Sequence, residues 1–414
     1  MQRILVLNCG SSSVKAAIFE GPERKLRMEA RQLPTANATL RLEPANAVAE
    51  ERGIPQQSPA VGVATVMHAL EARGWLQGVV AVGHRIVHGG REFKEPTMLT
   101  PYVLEVVRGL IPLAPLHLPA EIAAMEEIAR GFPDLPQVLC FDTAFHRSLP
   151  AYVERYPLPQ ELHDLGVLRY GFHGLSYEWV VQTLQQRGAL PRRMVVAHLG
   201  NGCSACAVLD GRSVDTTLGM TALGGLPMAT RPGDIDPGIL LYLQQELGYS
   251  LEQVEQLLHF QSGLLGISGR SPDVQDLLAQ EAHDPRAALA IAMFCYAVSK
   301  SIGAFSAALG GVDAIVFTGG IGQYAASIRE RVLARLGFLG AILDPVANKN
   351  NAAVISSAAS AVRVEMIAAN EEAMMAQHTA RVVHAPGFLG RWQKERPIIH
   401  APEHAPRGLA LPRL

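Results

Sequence analysis

Arginines, histidines and a few carboxylates recur along this 414-residue chain inside Gly- and Pro-rich segments, where core packing would not ask for them. Gly83-His84-Arg85 is followed by His88-Gly89-Gly90, then Pro115-Leu116-His117, Asp142-Thr143-Ala144-Phe145-His146 and Tyr170-Gly171-Phe172-His173-Gly174. Further on stand Arg231-Pro232-Gly233-Asp234-Ile235-Asp236 and Asn370-Glu371-Glu372. Such a set suits phosphoryl transfer, in which cations stabilise charge on the migrating group and acids hold Mg²⁺ through water. Each member also has an ordinary structural reading. A loop histidine can simply be hydrogen-bonded, Arg231 can pair with its neighbouring aspartates, and Asn370-Glu371 can cap a helix beginning at Glu372. HExxH metal spacing and a GxSxG serine elbow are both absent.

The elements that must position these groups announce themselves by repetition. RILVLNCGSSSVKAAIF (Arg3 to Phe19) and MVVAHLGNGCSACAVLDG (Met194 to Gly211) each read as a strand, a tight turn of small polar residues and a second strand. Gly amides with hydroxyl or amide side chains at a strand end can hold phosphate oxygens, and two copies imply duplicated lobes around a nucleotide. The first turn is not a P-loop, because Ser11-Ser12-Ser13 is followed by strand-like VKAAIF instead of a helix. A third element, VDAIVFTGGIG (Val312 to Gly322), is a strand breaking at Gly319-Gly320 into a helix with Ala325, Ile328, Val332 and Leu336 on one face. Helices are expected from Val63 to about Gly74, between Pro119 and Gly131, and from a Ser176 cap to Gly188. Interleaved strands at Val79 to Val82, Gln137 to Phe141, Met194 to His198 and Ala314 to Thr318 make the chain α/β.

At this length two domains are expected, and 49% apolar with 18% charged residues describes a globular protein. A net charge of −2 favours neither a nucleic acid nor a membrane-surface partner. Five cysteines, an odd number set mostly in apolar runs, fit reduced thiols in cytoplasm, and Cys203-x-x-Cys206 lacks the second pair of a metal site. The N-terminus does not read as a signal peptide, and the longest apolar stretch, Ala287 to Val298, is too short to span a bilayer.

Taken in order, NCGSSSVK, LAPLH, FDTAFH, RYGFHGLS, AHLGNG, GDIDPG and the SGLLGISG run from Ser262 to Gly269 resemble the acetate kinase family, which includes propionate and butyrate kinases and lies in the acetate and sugar kinase, Hsp70 and actin superfamily. The resemblance runs from about Arg3 to Thr379. It implies two ribonuclease H-like α/β domains with an interdomain nucleotide cleft. Domain I would comprise 1–144 plus 372–385, domain II 145–371 with the dimer interface of a homodimer, and 386–414 a Pro-rich tail. It implies reversible transfer of the ATP γ-phosphoryl group to acetate or another short-chain carboxylate, giving an acyl phosphate and ADP. Arg85 and Arg231 would bind carboxylate and phosphoryl oxygens, His173 would stabilise the transition state, and Asp142 and Glu371, with Asn8 nearby, would organise Mg²⁺ (or Mn²⁺). Ser11, Ser13 and Lys15 belong to the first phosphate hairpin, and His198, Leu199, Gly200, Asn201 and Gly202 to the second. Gly319, Gly320, Ile321 and Gly322 would line the adenosine site. His117 matches an active-site histidine, and Val87, Leu116, Phe172 and Ala222 would wall the substrate pocket.

The chain departs from the family pattern at Leu118, Leu175, Tyr177, Gly224, Gln323, Tyr324 and Ala369, and has Ala222 where a Pro is usual. None of these removes a residue assigned to the chemistry. They leave open propionate as the preferred substrate, and a weakly catalytic nucleotide-binding regulatory protein as the contrasting reading.

Overall fold

The computed structural model describes residues 2–10 and 12–397, so the Ser11 assignment and the tail from 398 onward lie outside the described residues. The chain divides into two units: one of Met1–Val87, Pro96–Cys140 and Met375–Leu414, the other of His88–Glu95 and Phe141–Met374. The last of these boundaries falls inside the helix Glu371–Val383.

The first unit is built on a sheet of β1 (Arg3–Cys9), β2 (Val14–Glu20), β3 (Glu23–Arg31), β4 (Thr39–Pro44), β5 (Glu50–Gly53), β6 (Val79–Ile86), β7 (Thr97–Met98) and β8 (Gln137–Phe141). Their spatial order is β5-β4-β3-β2-β1-β6-β8-β7. β1 lies antiparallel to β2 and parallel to β6, and its Ile4 to Leu7 run is buried, which is why it reads as continuously apolar. The helix Pro59–Ala72, capped by Ser58 with Pro59 in its first turn, lays Val63, Val66, Met67 and Leu70 on this sheet. A methyl on Gly62 would stand 2.7 Å from Leu33, so glycine sets how closely that helix approaches. The expected Pro-rich tail begins instead with a helix, Phe388–Glu395, whose Phe388 and Trp392 are buried. Two aromatics four residues apart on one face outweighed the prolines that follow.

The second unit carries β9 (Arg193–Leu199), β10 (Cys203–Leu209), β11 (Arg212–Thr216), β12 (Ala314–Thr318) and β13 (Arg363–Met366), ordered β11-β10-β9-β12-β13. The first three strands are antiparallel and the last two parallel to β9 or its neighbour. The same order, a three-stranded meander continued by crossover strands, sits inside the first sheet as β3-β2-β1-β6-β8. The repeat in sequence is therefore a repeat in topology.

One expectation is corrected. The apolar stretch around Ala287 belongs to a 24-residue helix, Pro285–Ala308, long and apolar enough to cross a membrane. Its Ala287, Ala290, Ile291, Phe294, Val298 and Ile302 face is buried within the second unit, and it packs on β10 and the helix Gly263–Ser268, as a core helix does.

Candidate functional site

In the first unit the hairpin register places Asn8 directly opposite Lys15, so the two share a face of the sheet. The turn closes with Gly10 N–H donating to the Ser13 carbonyl at 2.9 Å. Leu7 is the register partner of His84 on β6, which brings the next residue, Arg85, beside Asn8; Arg85 Nη1 donates to Asn8 Oδ1 at 3.5 Å. Lys15 faces Glu29 at 3.9 Å. Val87 is buried and its N–H donates to Glu121 Oε2 at 3.1 Å, while Leu116 and His117 are half-buried where the helix Leu118–Gly131 begins. One polar face thus holds Asn8, Lys15 and Arg85.

In the second unit the matching hairpin closes with Gly200 N–H donating to the Gly202 carbonyl at 3.1 Å. A methyl built on Gly202 would lie 3.0 Å from Arg231 Nη2 and 3.2 Å from His173 Nε2, so both side chains reach the turn. Arg231 is further held by Nη1 donating to the Ala222 carbonyl at 2.8 Å. Burial pulls its pKa below the usual guanidinium value, partly offset by Cys203, and an arginine so placed stays charged. His173 lies in the left-handed region at φ 59°, an uncommon conformation for a non-glycine residue and one that marks functional turns. Its ring stacks on His198 at 4.4 Å, and His198 Nδ1 is bonded to Ser176 Oγ at 2.8 Å.

Asp142 is buried, and its carbonyl accepts from the Gly174 N–H at 2.8 Å, which ties it to the residue after His173. Gly174 is obligatory there, since a Cβ would meet that carbonyl at 2.2 Å. Contrary to the sequence expectation, the following helix starts at Gly174 with His173 at its N-cap position, and Ser176 serves His198 instead of capping. Phe172 is buried against His88, with ring centroids 5.5 Å apart. Asn370 caps the helix Glu371–Val383 by accepting from Ala373 N–H at 3.2 Å, so Glu371 opens that helix and the capping reading holds alongside any metal role.

Beside this cluster a cavity of about 320 Å³ is lined by Gly200, Asn201, Gly320, Ile321, Tyr324 and the segment Pro272 to Gln275. Its size suits a purine nucleoside. Gly319 and Gly322 are buried in the turn and do not line it. Gly319, at φ 76°, has the Leu199 carbonyl where a Cβ would sit, 2.5 Å away. The single helix expected after this turn is two: Gly319–Tyr324 and Ala326–Leu333.

Sequence reasoning missed three groups. Pro272 to Gln275 carry no motif and reach the cavity only through the fold. Arg329, fully buried, donates to the carbonyls of Gly322 and Gln323, each at 2.9 Å, and to Asn348 and Asn351, anchoring the glycine turn. An arginine within a helical apolar face was the available signal. Ser204, buried on β10, bonds His173 Nδ1 at 2.7 Å.

Among the described residues no three His, Cys, Asp or Glu side chains gather into a metal cage. Mg²⁺ does not require one, since it keeps several waters and takes one or two carboxylates together with substrate phosphates. A buried carboxylate such as Asp142 is a donor of that kind.

The acetokinase family model matches residues 3–377. The chain is 44% identical over 392 residues to the acetate kinase of Nitrobacter hamburgensis, covering 92% of this chain and 96% of that protein. Among solved structures, a propionate kinase from Francisella tularensis superposes with TM-score 0.88 at 39% identity, covering 92% of this chain and 100% of that one. Acetate kinase from Porphyromonas gingivalis gives 0.85 at 36% identity, with the same coverage.

Proposed function

We propose that this chain, which belongs to the acetokinase family, transfers the γ-phosphoryl group of ATP reversibly to acetate, giving acetyl phosphate and ADP. The observation that carries the reading is the approach of Arg231 Nη2 and His173 Nε2 to one glycine turn that also borders the nucleoside-sized cavity. That supports a role for the two groups as donors to a phosphoryl group presented by a nucleotide bound in the cavity.

The acceptor needs no general base. A carboxylic acid with a pKa near that of Glu is ionised at neutral pH, and its oxygen attacks phosphorus directly. Two anions must then be brought together, so the catalytic burden is positioning and charge neutralisation. Arg231 supplies a permanent charge with two parallel donors, and the Ala222 carbonyl fixes its orientation. His173 Nε2 adds a donor at the equatorial oxygens. We assign Arg85 to the substrate carboxylate, the Asn8 and Lys15 face to phosphate, and Val87, Leu116, His117 and Phe172 to the substrate pocket. Asp142 and Glu371, with Asn8, would hold Mg²⁺, which when bound shields the negative charge shared by the phosphates. Joint retention of Arg85, Arg231, His173, Asp142 and Glu371 supports an enzyme over a nucleotide-binding regulatory module.

A second substrate reading has its own observation. Ala222 replaces the usual Pro, and the resulting room would admit about one methylene, favouring propionate. Exposed Leu241, Tyr242, Leu251, Leu289, Met293 and Tyr296 of the second unit support a homodimer, and five buried free thiols support a cytoplasmic setting. The test is hydroxamate formation from ATP, Mg²⁺, hydroxylamine and each of acetate, propionate and butyrate. Product with acetate or propionate supports the carboxylate kinase; none with any of the three, from protein that binds ATP, turns the reading to the regulatory module.

A further inference from the structure

Tyr177, one of the departures from the family pattern, is fully buried on the helix Gly174–Gln186. Its ring packs edge-on to His146 at 5.5 Å and against Phe145, surroundings that offer a phenol little polar company. Among the described residues its hydroxyl has one hydrogen-bond partner, Ser204 Oγ. Ser204 Oγ in turn is 2.7 Å from His173 Nδ1. A three-member chain therefore runs from phenol to serine to imidazole, buried until it emerges at His173 Nε2 beside Gly202 and Arg231.

The protons in this chain have one satisfactory arrangement. Were Ser204 to donate to Tyr177, the phenolic hydrogen would have no acceptor, and a buried unsatisfied donor is costly. Tyr177 O–H therefore donates to Ser204 Oγ, and the Ser204 hydrogen goes to the remaining neighbour, His173 Nδ1. An Nδ1 that accepts carries no proton, so the ring's hydrogen sits on Nε2. Burial drives the Tyr177 pKa well above that of a free phenol, which keeps the donor in place across the working range.

We propose that Ser204 is a positioning residue which, its Oγ accepting from Tyr177 and its own hydrogen turned to Nδ1, fixes His173 as the Nε2–H tautomer and so presents an N–H, not a lone pair, to the transferring phosphoryl group. The inference rests on the assignment of His173 to phosphoryl transfer. A lone pair at Nε2 would face phosphoryl oxygens with like charge, whereas the N–H strengthens its bond as charge accumulates there.

The experiment is long-range ¹H–¹⁵N correlation of the histidine side chains, with His173 identified by loss of its signals in His173→Gln, on wild-type protein and on the double variant Ser204→Ala with Tyr177→Phe. The wild type is expected to show the Nε2–H pattern for His173. The double variant removes the hydroxyl that donates to Nδ1 without leaving the phenol unpaired, and is expected to show a measurable Nδ1–H population, a kcat lowered about tenfold or more, and KM values for ATP and acetate within about twofold. An Nδ1–H ring in the wild type, or a double variant with unchanged tautomer and kcat, overturns the proposal. The tautomer measurement needs no turnover, so it fails or succeeds separately from the kinase reading, which stands on product formation by the wild type.

Discussion

Arg231 Nη2 and His173 Nε2 converge on Gly202 from residues 58 positions apart in the chain, so closely that a single methyl there would lie 3.0 Å from one and 3.2 Å from the other. The glycine is thus a gauge of the site. Gly202→Ala should displace both donors by a few tenths of an ångström. Since catalysis by positioning is steep in distance, kcat should fall about tenfold or more, with the melting temperature within a few degrees of wild type. Steady-state kinetics beside a thermal melt check this, and an unimpaired kcat would mean that the two groups do not act together at the turn.

The arginines themselves should weigh more heavily. Charge-stabilising arginines in phosphoryl transfer are worth roughly 10³-fold or more, so Arg231→Ala and Arg85→Ala should each lower kcat by about that factor while remaining folded. Arg231→Lys should rescue poorly, because one ammonium cannot both hold the Ala222 carbonyl and reach Gly202. Near-normal turnover in either alanine variant removes that residue from the mechanism.

Acid should destabilise the fold through its buried histidines. Burial pulls His84, His88 and His146 from 6.5 down to about 4. Each is neutral when folded, whereas the unfolded chain takes up a proton near 6.5. Their contribution is therefore complete above pH 6.5 and is lost as pH falls towards 4. In the middle of that window each costs up to about 1.4 kcal/mol per pH unit. Urea unfolding at pH 7.5, 6 and 5 should show a falling unfolding free energy; a flat response would contradict the buried neutral assignment.

Much of this was legible in sequence because it is local. The two hairpins follow from an apolar run, a small polar turn and a second run, and the turns form at Gly10 to Ser13 and Gly200 to Gly202. The β12 strand and the glycine turn after it follow equally from local chemistry. What was not legible depends on distant contacts. Ser176 looks like a cap, but His198 draws its hydroxyl away and the helix begins at Gly174, three residues earlier than that cap implies. Arg329 has the pattern of a core position, and only the folded chain shows it gripping the carbonyls of Gly322 and Gln323. The tail prolines mask a helix that buries Phe388 and Trp392 on one face.

Substrate size gives a sharper test of one side chain. On the second substrate reading, in which Ala222 leaves room for one more methylene, propionate should be used with a kcat/KM at least equal to that for acetate, and Ala222→Pro should restore preference for acetate. A methylene in an apolar pocket is worth about 1 to 3 kcal/mol, a readily measured ratio. Proline keeps the carbonyl that holds Arg231, so the substitution should alter selectivity more than turnover. A wild-type propionate value clearly below that for acetate would mean that a neighbour such as Leu223 fills the gap.

The central claim is that a carboxylate oxygen attacks the γ-phosphorus. It is tested most directly by incubating the protein with ATP, Mg²⁺ and acetate carrying ¹⁸O in both carboxyl positions, and following the products by ³¹P NMR. The account predicts an acyl phosphate whose phosphorus resonance is shifted by one bridging ¹⁸O, formed in equal amount to ADP. ADP accompanied by unlabelled inorganic phosphate, or an acyl phosphate without the isotope shift, would contradict it.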